Sequence, residues 1–294
     1  AGYDLAELTE SARSRDFVPV PLGVTTSLRL VNELSRVQTA NIAGLLEGSD
    51  PELREEVVVF TAHHDHLGIG EPNADGDAIY NGALDNASGV AQVLSIANAI
   101  QSLPVRPRRS ILMLFVAAEE QGLLGSAFYA RQPTFAPGRI AANINLDGGN
   151  IWGRTRDITF IGYGKSTLDG VVEQAAMLQG RTVQGDQFPD RGYFYRSDQF
   201  NFAKIGVPAV YLNVGTNFVG QPKGWGVEQI ENWVSVYYHQ PSDELEDGWN
   251  FDGMIEDVQL AYYIGLDVAN ADEMPAWNAG DEFEAARLAS IAAR

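Results

Sequence analysis

Residues able to hold a metal ion gather at a few points of this chain, mostly where an apolar run stops. "VVVFTA" (57–62) runs into His63 and Asp65. "ILMLFVAA" (111–118) runs into Glu119-Glu120, and "IAANINL" (140–146) into Asp147. Asp85 lies in the turn "NGALDNASG" (81–89), just before an amphipathic stretch. His239, in "YYHQPSDE" (237–244), is the only histidine far from the cluster at 63–66. The inventory is two candidate imidazoles and several carboxylates, with no sulfur, because the chain has no cysteine. Such nitrogen and oxygen donors suit zinc, and manganese or cobalt less often. With one carboxylate shared, the donors suffice for two ions. Two ions about 3.5–4 Å apart can together polarise a carbonyl and ionise a bound water. A carboxylate left free beside them could act as general base.

Each residue also has a plainer explanation. Taken singly, a strand-end Asp or Glu is usually a turn or cap residue. A Glu-Glu pair is normally solvated, and a lone histidine such as His239 is more often structural than ligating. The plain explanation weakens for Glu119-Glu120, which begins where eight apolar residues end. Only the joint pattern is informative.

The elements that must position these residues follow from periodicity. From 56 onward, short apolar runs alternate with amphipathic stretches. In "ASGVAQVLSIANAIQ" (87–101), Val90, Val93, Leu94, Ala97 and Ile100 recur at helical spacing. "SILMLFVA" is apolar without alternation, as expected for a strand covered on both faces. Further on, "DITFIG" reads as a strand, "STLDGVVEQAAMLQG" as a helix, "SDQFNFAKIG" as a capped helix and "PAVYLNVG" as a strand. A last helix is expected near 254–271, with a surface helix in the tail. This order predicts an α/β fold with a mixed, largely parallel central sheet flanked by helices on both faces. Ligands of such sheets lie beyond the carboxyl ends of the strands, so residues distant in sequence can converge there. Ahead of 56, residues 4–14 suit a short helix. "TTSLRLVNELS" (25–35) and "QTANIAGLLEG" (38–48) read as hairpin-forming strands, and Asp50 or Ser49 as a cap in "SDPELREE".

Composition removes several classes. Thirty-nine acidic against twenty basic residues give a net charge of -19 over 294 residues. That field repels nucleic acid, and its plain meaning is a solvated surface. The longest apolar runs are strand-sized, too short to span a membrane. Without cysteine there are no disulfides, thiolate metal sites or cysteine nucleophiles. The opening "AGYDLAEL" has neither an initiator Met nor a basic, apolar leader, so a mature form or an excised fragment is expected.

Six stretches now combine: "AHHDHLG" (62–68), "NGALDNASGVA" (81–91), "AAEEQGLLGS" (117–126), "NINLDGG" (143–149), "RSDQFNFAKIGVPAVYL" (196–212) and "YYHQPSDE" (237–244). In this order they resemble the co-catalytic dizinc exopeptidases, which include bacterial leucyl aminopeptidases and glutamate carboxypeptidase II. The likeness covers about residues 55–270 and implies two zinc ions per chain. His63 and Asp147 would hold one, Glu120 and His239 the other. Asp85 would bridge them, in a turn where the family often has a cis peptide to the next residue, here Asn86. Glu119 would be the general base and Asp65 the carboxylate that orients His63. In an extended segment residues 63 and 65 point to one side and His64 to the other. His66 is expected to line the pocket or hydrogen-bond locally. The oxyanion donor would be Tyr238, just before the last histidine, or Tyr195 or Tyr193, upstream of "SD". Arg191 and Arg196, in the aromatic loop 188–198, are candidates to line a substrate pocket.

The activity this implies is an aminopeptidase that removes N-terminal residues from peptides by metal-activated water. A carboxypeptidase or dipeptidase of the same superfamily is the close alternative and would need a cation such as Arg196 for the substrate carboxylate. A glutaminyl cyclase-like transferase would use one zinc, and a receptor-like relative would have lost ligands that are all present here. Residues 55–294 are expected to form the catalytic domain. Residues 1–54 resemble the segment that follows a protease-associated domain, packed on the core. A domain cut from a longer precursor and an exported location, periplasmic or secreted, are implied by the same likeness.

Overall fold

The computed structural model describes residues 2–34 and 36–294. The chain divides into two compact units, one reaching to Gln38 and the other running from Thr39 to Arg294. In the first, helix α1 (Leu5–Ser11) is capped by Asp4, whose carboxylate accepts the N–H groups of Ala6 at 2.7 Å and Glu7 at 3.1 Å. The strand expected over 25–35 is absent from the described residues of that stretch. Its alternation calls for a covered face, yet Leu28, Leu30, Val31 and Leu34 are all exposed. The second half of the expected hairpin does form, as β1 (Ile42–Leu46), and it pairs elsewhere.

The second unit is built on one sheet. After β1 come β2 (Val57–His63), a small ribbon of β3 (Gly68–Ile69) and β4 (Ile79–Tyr80), then α2 (Ser88–Gln101), β5 (Ser110–Val116), α3 (Leu124–Arg131) and β6 (Ile140–Asn145). Next are β7 (Asp157–Ile161), α4 (Leu168–Leu178), β8 (Thr182–Gln184), α5 (Gln199–Lys204) and β9 (Ala209–Asn213). The helices α6 (Trp225–Val236), α7 (Asp252–Asn270) and α8 (Glu284–Ala292) close the chain. The sheet order is β1-β5-β2-β6-β9-β7-β8. Strands β5, β2, β6 and β9 run parallel, β1 pairs antiparallel with β5, and β7 antiparallel with β9. This is the mixed, largely parallel sheet expected from the sequence.

Every residue of β2 and β6 is buried, which explains their unbroken apolar runs. Val58, Phe60 and Ala62 of β2 face a core built from α2, α4 and α7. Val57 and Val59 face the opposite core, with Tyr129 of α3 and Phe202 of α5. Two local expectations shift. The buried stripe of α2 is Val93, Ile96 and Ile100, while Leu94 is exposed. Apolar residues there permit two adjacent stripes, and packing against the sheet selects one. Helix α5, expected to be capped, has Asp198 at its N-cap without a side-chain cap hydrogen bond; Asp198 instead accepts the Ser126 hydroxyl at 2.5 Å. Asp50 does cap its turn, accepting from Glu52 and Leu53 at 2.9 and 3.1 Å. Among the described residues no helix is long and apolar enough to cross a membrane.

Candidate metal centre

Parallel register sets the site. His63 lies opposite Val116 of β5, and Thr61 opposite Asn145 of β6. The residues just past those strands, Glu119-Glu120 and Asp147, therefore emerge at the same sheet edge as His63. His63 Nδ1 lies 3.0 Å from the backbone carbonyl oxygen of Asp65. A donated N–H there fixes the tautomer that leaves Nε2 as the free lone pair. Nε2 lies 3.1 Å from Asp85 Oδ1 and 3.3 Å from Asp147 Oδ1. This corrects the expectation for Asp65, because its carbonyl meets His63 and its carboxylate does not. The carboxylate is engaged elsewhere, accepting the Ala118 N–H at 2.5 Å. Ala118 has φ of 54°, the left-handed region that side chains disfavour, and it directly precedes Glu119. Asp65 thus holds the strained turn that presents Glu119 and Glu120.

Asp85 sits in the Ala83–Ala87 turn, and the Asp85–Asn86 peptide is cis, as the family likeness implied. Asp243 grips this turn through the N–H groups of Leu84 at 2.9 Å and Asp85 at 3.0 Å. The Asn86 amide donates to the Leu146 carbonyl at 3.1 Å and its oxygen accepts from Gly148 at 3.0 Å, tying the turn to the Asp147 loop. On the far side, His239 Nε2 lies 3.4 Å from Asp85 Oδ2 and 2.9 Å from Glu120 Oε2. Each oxygen of Asp85 thus faces a different imidazole. Tyr238 stacks on His239 with ring centroids 3.8 Å apart. His64 is exposed and its Nε2 lies 3.1 Å from the Ala40 carbonyl oxygen, turned away as expected. His66 points inward, with Nδ1 2.7 Å from Glu120 Oε1.

The charges strain against one another. Burial opposes a proton on His63, but the Asp147 and Asp85 carboxylates outweigh it and raise its pKa strongly. The same contest lifts His239 to about 9, burial opposing and Asp85 and Glu120 prevailing. Burial would raise Asp85, yet His239 and His63 hold it below the usual carboxylate range. Glu120 is likewise lowered by His239 and His66 against its burial. For Glu119 the His63 charge gives too little relief, and burial followed by the Asp147 charge pushes it up to about 9. Asp198, fully buried, is pushed up to about 7, mainly by burial.

These residues fit a metal centre. Donor atoms of His63, Asp85 and Asp147 lie within 4.8 Å of one another, as do those of His66, Asp85 and Glu120, and of His63, Glu119 and Glu120. Glu120 Oε1, His239 Nε2 and both His66 nitrogens are buried without an aligned hydrogen bond, although the N···O separations are 2.7 and 2.9 Å. Converging nitrogen and oxygen donors among four carboxylates call for cations, and the donor types suit zinc.

A cavity of about 680 Å³ opens over the centre. Leu84, Trp152, Ile230, Trp233 and Val234 give it apolar lining, and Tyr193, Tyr195, Arg191 and Arg196 also line it. The Tyr195 hydroxyl donates to Glu282 at 2.8 Å, and the Tyr193 hydroxyl accepts from Arg191 at 3.2 Å. Arg191 is also tied to Glu231 at 3.3 Å, whereas Arg196 reaches the Arg191 carbonyl at 3.5 Å. Burial, then Asp85 and Glu120, raise the Tyr238 phenol well above its ordinary value.

Sequence reasoning missed a supporting chain. The Thr61 hydroxyl donates to Asn145 at 2.6 Å, the Asn145 amide to Ser197 at 2.8 Å, and the Ser197 hydroxyl to Asp147 at 2.5 Å. The available signal was "NIN", with fully buried asparagines at alternate positions of an otherwise apolar strand.

The profile described as Peptidase family M28 matches residues 41–263. Aminopeptidase YwaD of Bacillus subtilis is 27% identical over 209 residues, which is 65% of this chain and 36% of that protein. A "Probable zinc metalloprotease" of Pyricularia oryzae is 36% identical over 112 residues, 38% of this chain and 21% of that protein. The solved structure of BSAP, a zinc aminopeptidase from Bacillus subtilis, shares the fold with a TM-score of 0.58 at 22% identity, covering 79% of this chain and 50% of that one. The alignments thus take in about a third or less of these two curated relatives and about half of the solved structure.

Proposed function

We propose, from the premise that the chain belongs to peptidase family M28, that it is a two-zinc aminopeptidase acting on peptides with a free N-terminus. One observation carries the reading: the two oxygens of Asp85 face different imidazoles, His63 at 3.1 Å and His239 at 3.4 Å. His63 and Asp147 would hold one zinc and Glu120 and His239 the other, with Asp85 shared. Bound there, zinc would supply Lewis acidity and lower the pKa of a bound water.

The chain's own groups carry the proton and orient the peptide. Glu119, buried at the cavity wall, takes a proton from the attacking water and returns it to the leaving amine nitrogen. Tyr238 donates its hydroxyl to the developing oxyanion, and its raised pKa keeps it a donor. Tyr195 is less suited, since its hydroxyl is bound to Glu282. Site carboxylates suit the substrate's free amine, and Leu84, Trp152, Ile230 and Trp233 offer a surface for an apolar side chain. Tyr193 and Arg196 line the cavity where the rest of the peptide would lie. A longer precursor, with residues 1–54 following a protease-associated domain, and export to the periplasm or the medium complete the reading. Both rest on the family likeness.

The test is hydrolysis of a panel of aminoacyl-p-nitroanilides by zinc-loaded and chelated protein. Activity should require zinc. Glu119→Ala should keep its zinc and lose about 10²–10⁴ in kcat. Failure to cleave any free-amine substrate would sink the aminopeptidase reading, and cleavage of an N-blocked dipeptide instead would favour a carboxypeptidase.

A further inference from the structure

We infer that His66 is a positioning residue for Glu120, gripping the carboxylate oxygen opposite the one that faces His239. The inference rests on the ligand set proposed above. Glu120 stands between two imidazoles: Oε2 is 2.9 Å from His239 Nε2, and Oε1 is 2.7 Å from His66 Nδ1. The side chains of Glu120 and His66 are 5% and 6% exposed, so water does not readily substitute for either contact. The two rings meet edge to face, 5.6 Å between centroids. The backbone makes room for this placement. Gly82 has φ of +63°, and a Cβ there would come within 2.8 Å of the His66 ring.

The consequence is a division of labour within "HHDH". His63 serves the Asp147 side of the centre, and His66, three residues on, serves the Glu120 side. One strand end therefore supports both cation positions. His66 Nδ1 is close to Oε1 without an aligned hydrogen bond, so the contact positions the carboxylate by proximity. Groups that orient a metal ligand are typically worth about 10–100-fold in metal affinity.

Zinc titration against a competing chelator tests this, with cobalt absorption as a second readout. Wild type, His66→Ala and His66→Asn are compared. Wild type should take up two equivalents. His66→Ala should weaken one of them by roughly 10–100-fold. His66→Asn, whose amide can reach the place of Nδ1, should recover most of that loss, with the cobalt spectrum at saturation unchanged. Wild-type affinity in His66→Ala would overturn the inference. So would loss in both variants with an altered cobalt spectrum, which would make His66 a ligand itself. If wild type bound no zinc at all, the ligand set would fall first.

Discussion

Loading this centre with zinc should expel protons, and the electrostatics set how many. In the metal-free protein His239 titrates at about 9, and His63 is raised further because Asp147 and Asp85 overcome its burial. Both rings therefore carry a proton at neutral pH. A ligating imidazole must be neutral, so each gives up one proton on binding. Glu119, at about 9, also holds a proton, which a working general base must lose. Asp85 and Glu120 are lowered and contribute none. The total is about two to three protons for the full complement of ions. Overall affinity should then rise roughly 100- to 1,000-fold per pH unit near neutrality. The slope should become shallower above about 9, where His239 and Glu119 release their own protons and the His63 proton remains to be displaced. Calorimetric titration in two buffers of different ionisation enthalpy reads the count directly. Glu119→Gln should lower it by about one. Buffer-independent heats, or affinity that strengthens as pH falls, would refute the electrostatic picture.

The same groups govern the stability of the metal-free protein. Glu119 and His239 have folded pKa values above their ordinary 4.5 and 6.5. Their stabilising contribution is complete below those ordinary values and is lost as pH rises through about 9. The metal-free Tm should therefore fall from about pH 4.5, through Glu119, and more steeply between about 6.5 and 9, where His239 adds to it, and a flat or rising Tm would contradict it. In the core, a Cβ added at Gly265 would land 2.3 Å from the Phe60 ring. Gly265→Ala should cost about 1–3 kcal/mol by urea denaturation, and Phe60→Leu in the same chain should relieve part of it. Tyr238→Phe should lower kcat on an aminoacyl-p-nitroanilide by about 10² with zinc content unchanged. A wild-type kcat would remove Tyr238 from the oxyanion role.

Sheet and helices were legible because their signals are local. Unbroken apolar runs marked strands buried on both faces, and the polar residues ending them marked one sheet edge. His63, Asp85, Glu119, Glu120, Asp147 and His239 do converge there. What was not legible depends on which atom of a residue makes a contact. Asp65 lies where a carboxylate was expected, but the Ala118 N–H takes that carboxylate and the carbonyl meets His63. Nothing in residue type distinguishes those cases. The strand expected over 25–35 failed for another reason: alternation reports a face that needs covering, and cannot supply the cover. The helix in "SDQFNFAKIG" read as capped, while Ser126, seventy-two residues away in sequence, claims the carboxylate of its N-cap residue Asp198.

The two halves of the centre are built with different firmness, for reasons visible in the chain. His63 ends a strand buried along its whole length and is 1% exposed. Its neighbour Asp147 is braced through Ser197 and Asn145 back to Thr61 of the same strand. Buried hydrogen-bonded networks of this kind hold a geometry tightly. His239 belongs to no strand. It follows α6 in a loop, takes φ of 57°, and its side chain is 31% exposed. What steadies it is stacking by Tyr238 and the carboxylate of Glu120. Glu120 in turn depends on the turn pinned by Asp65 and on His66 at its other oxygen. Asp85 lies close to both His63 and His239, and its turn is anchored by Asp243, four residues beyond His239. The loop that brings His239 thus also fixes the shared carboxylate through Asp243.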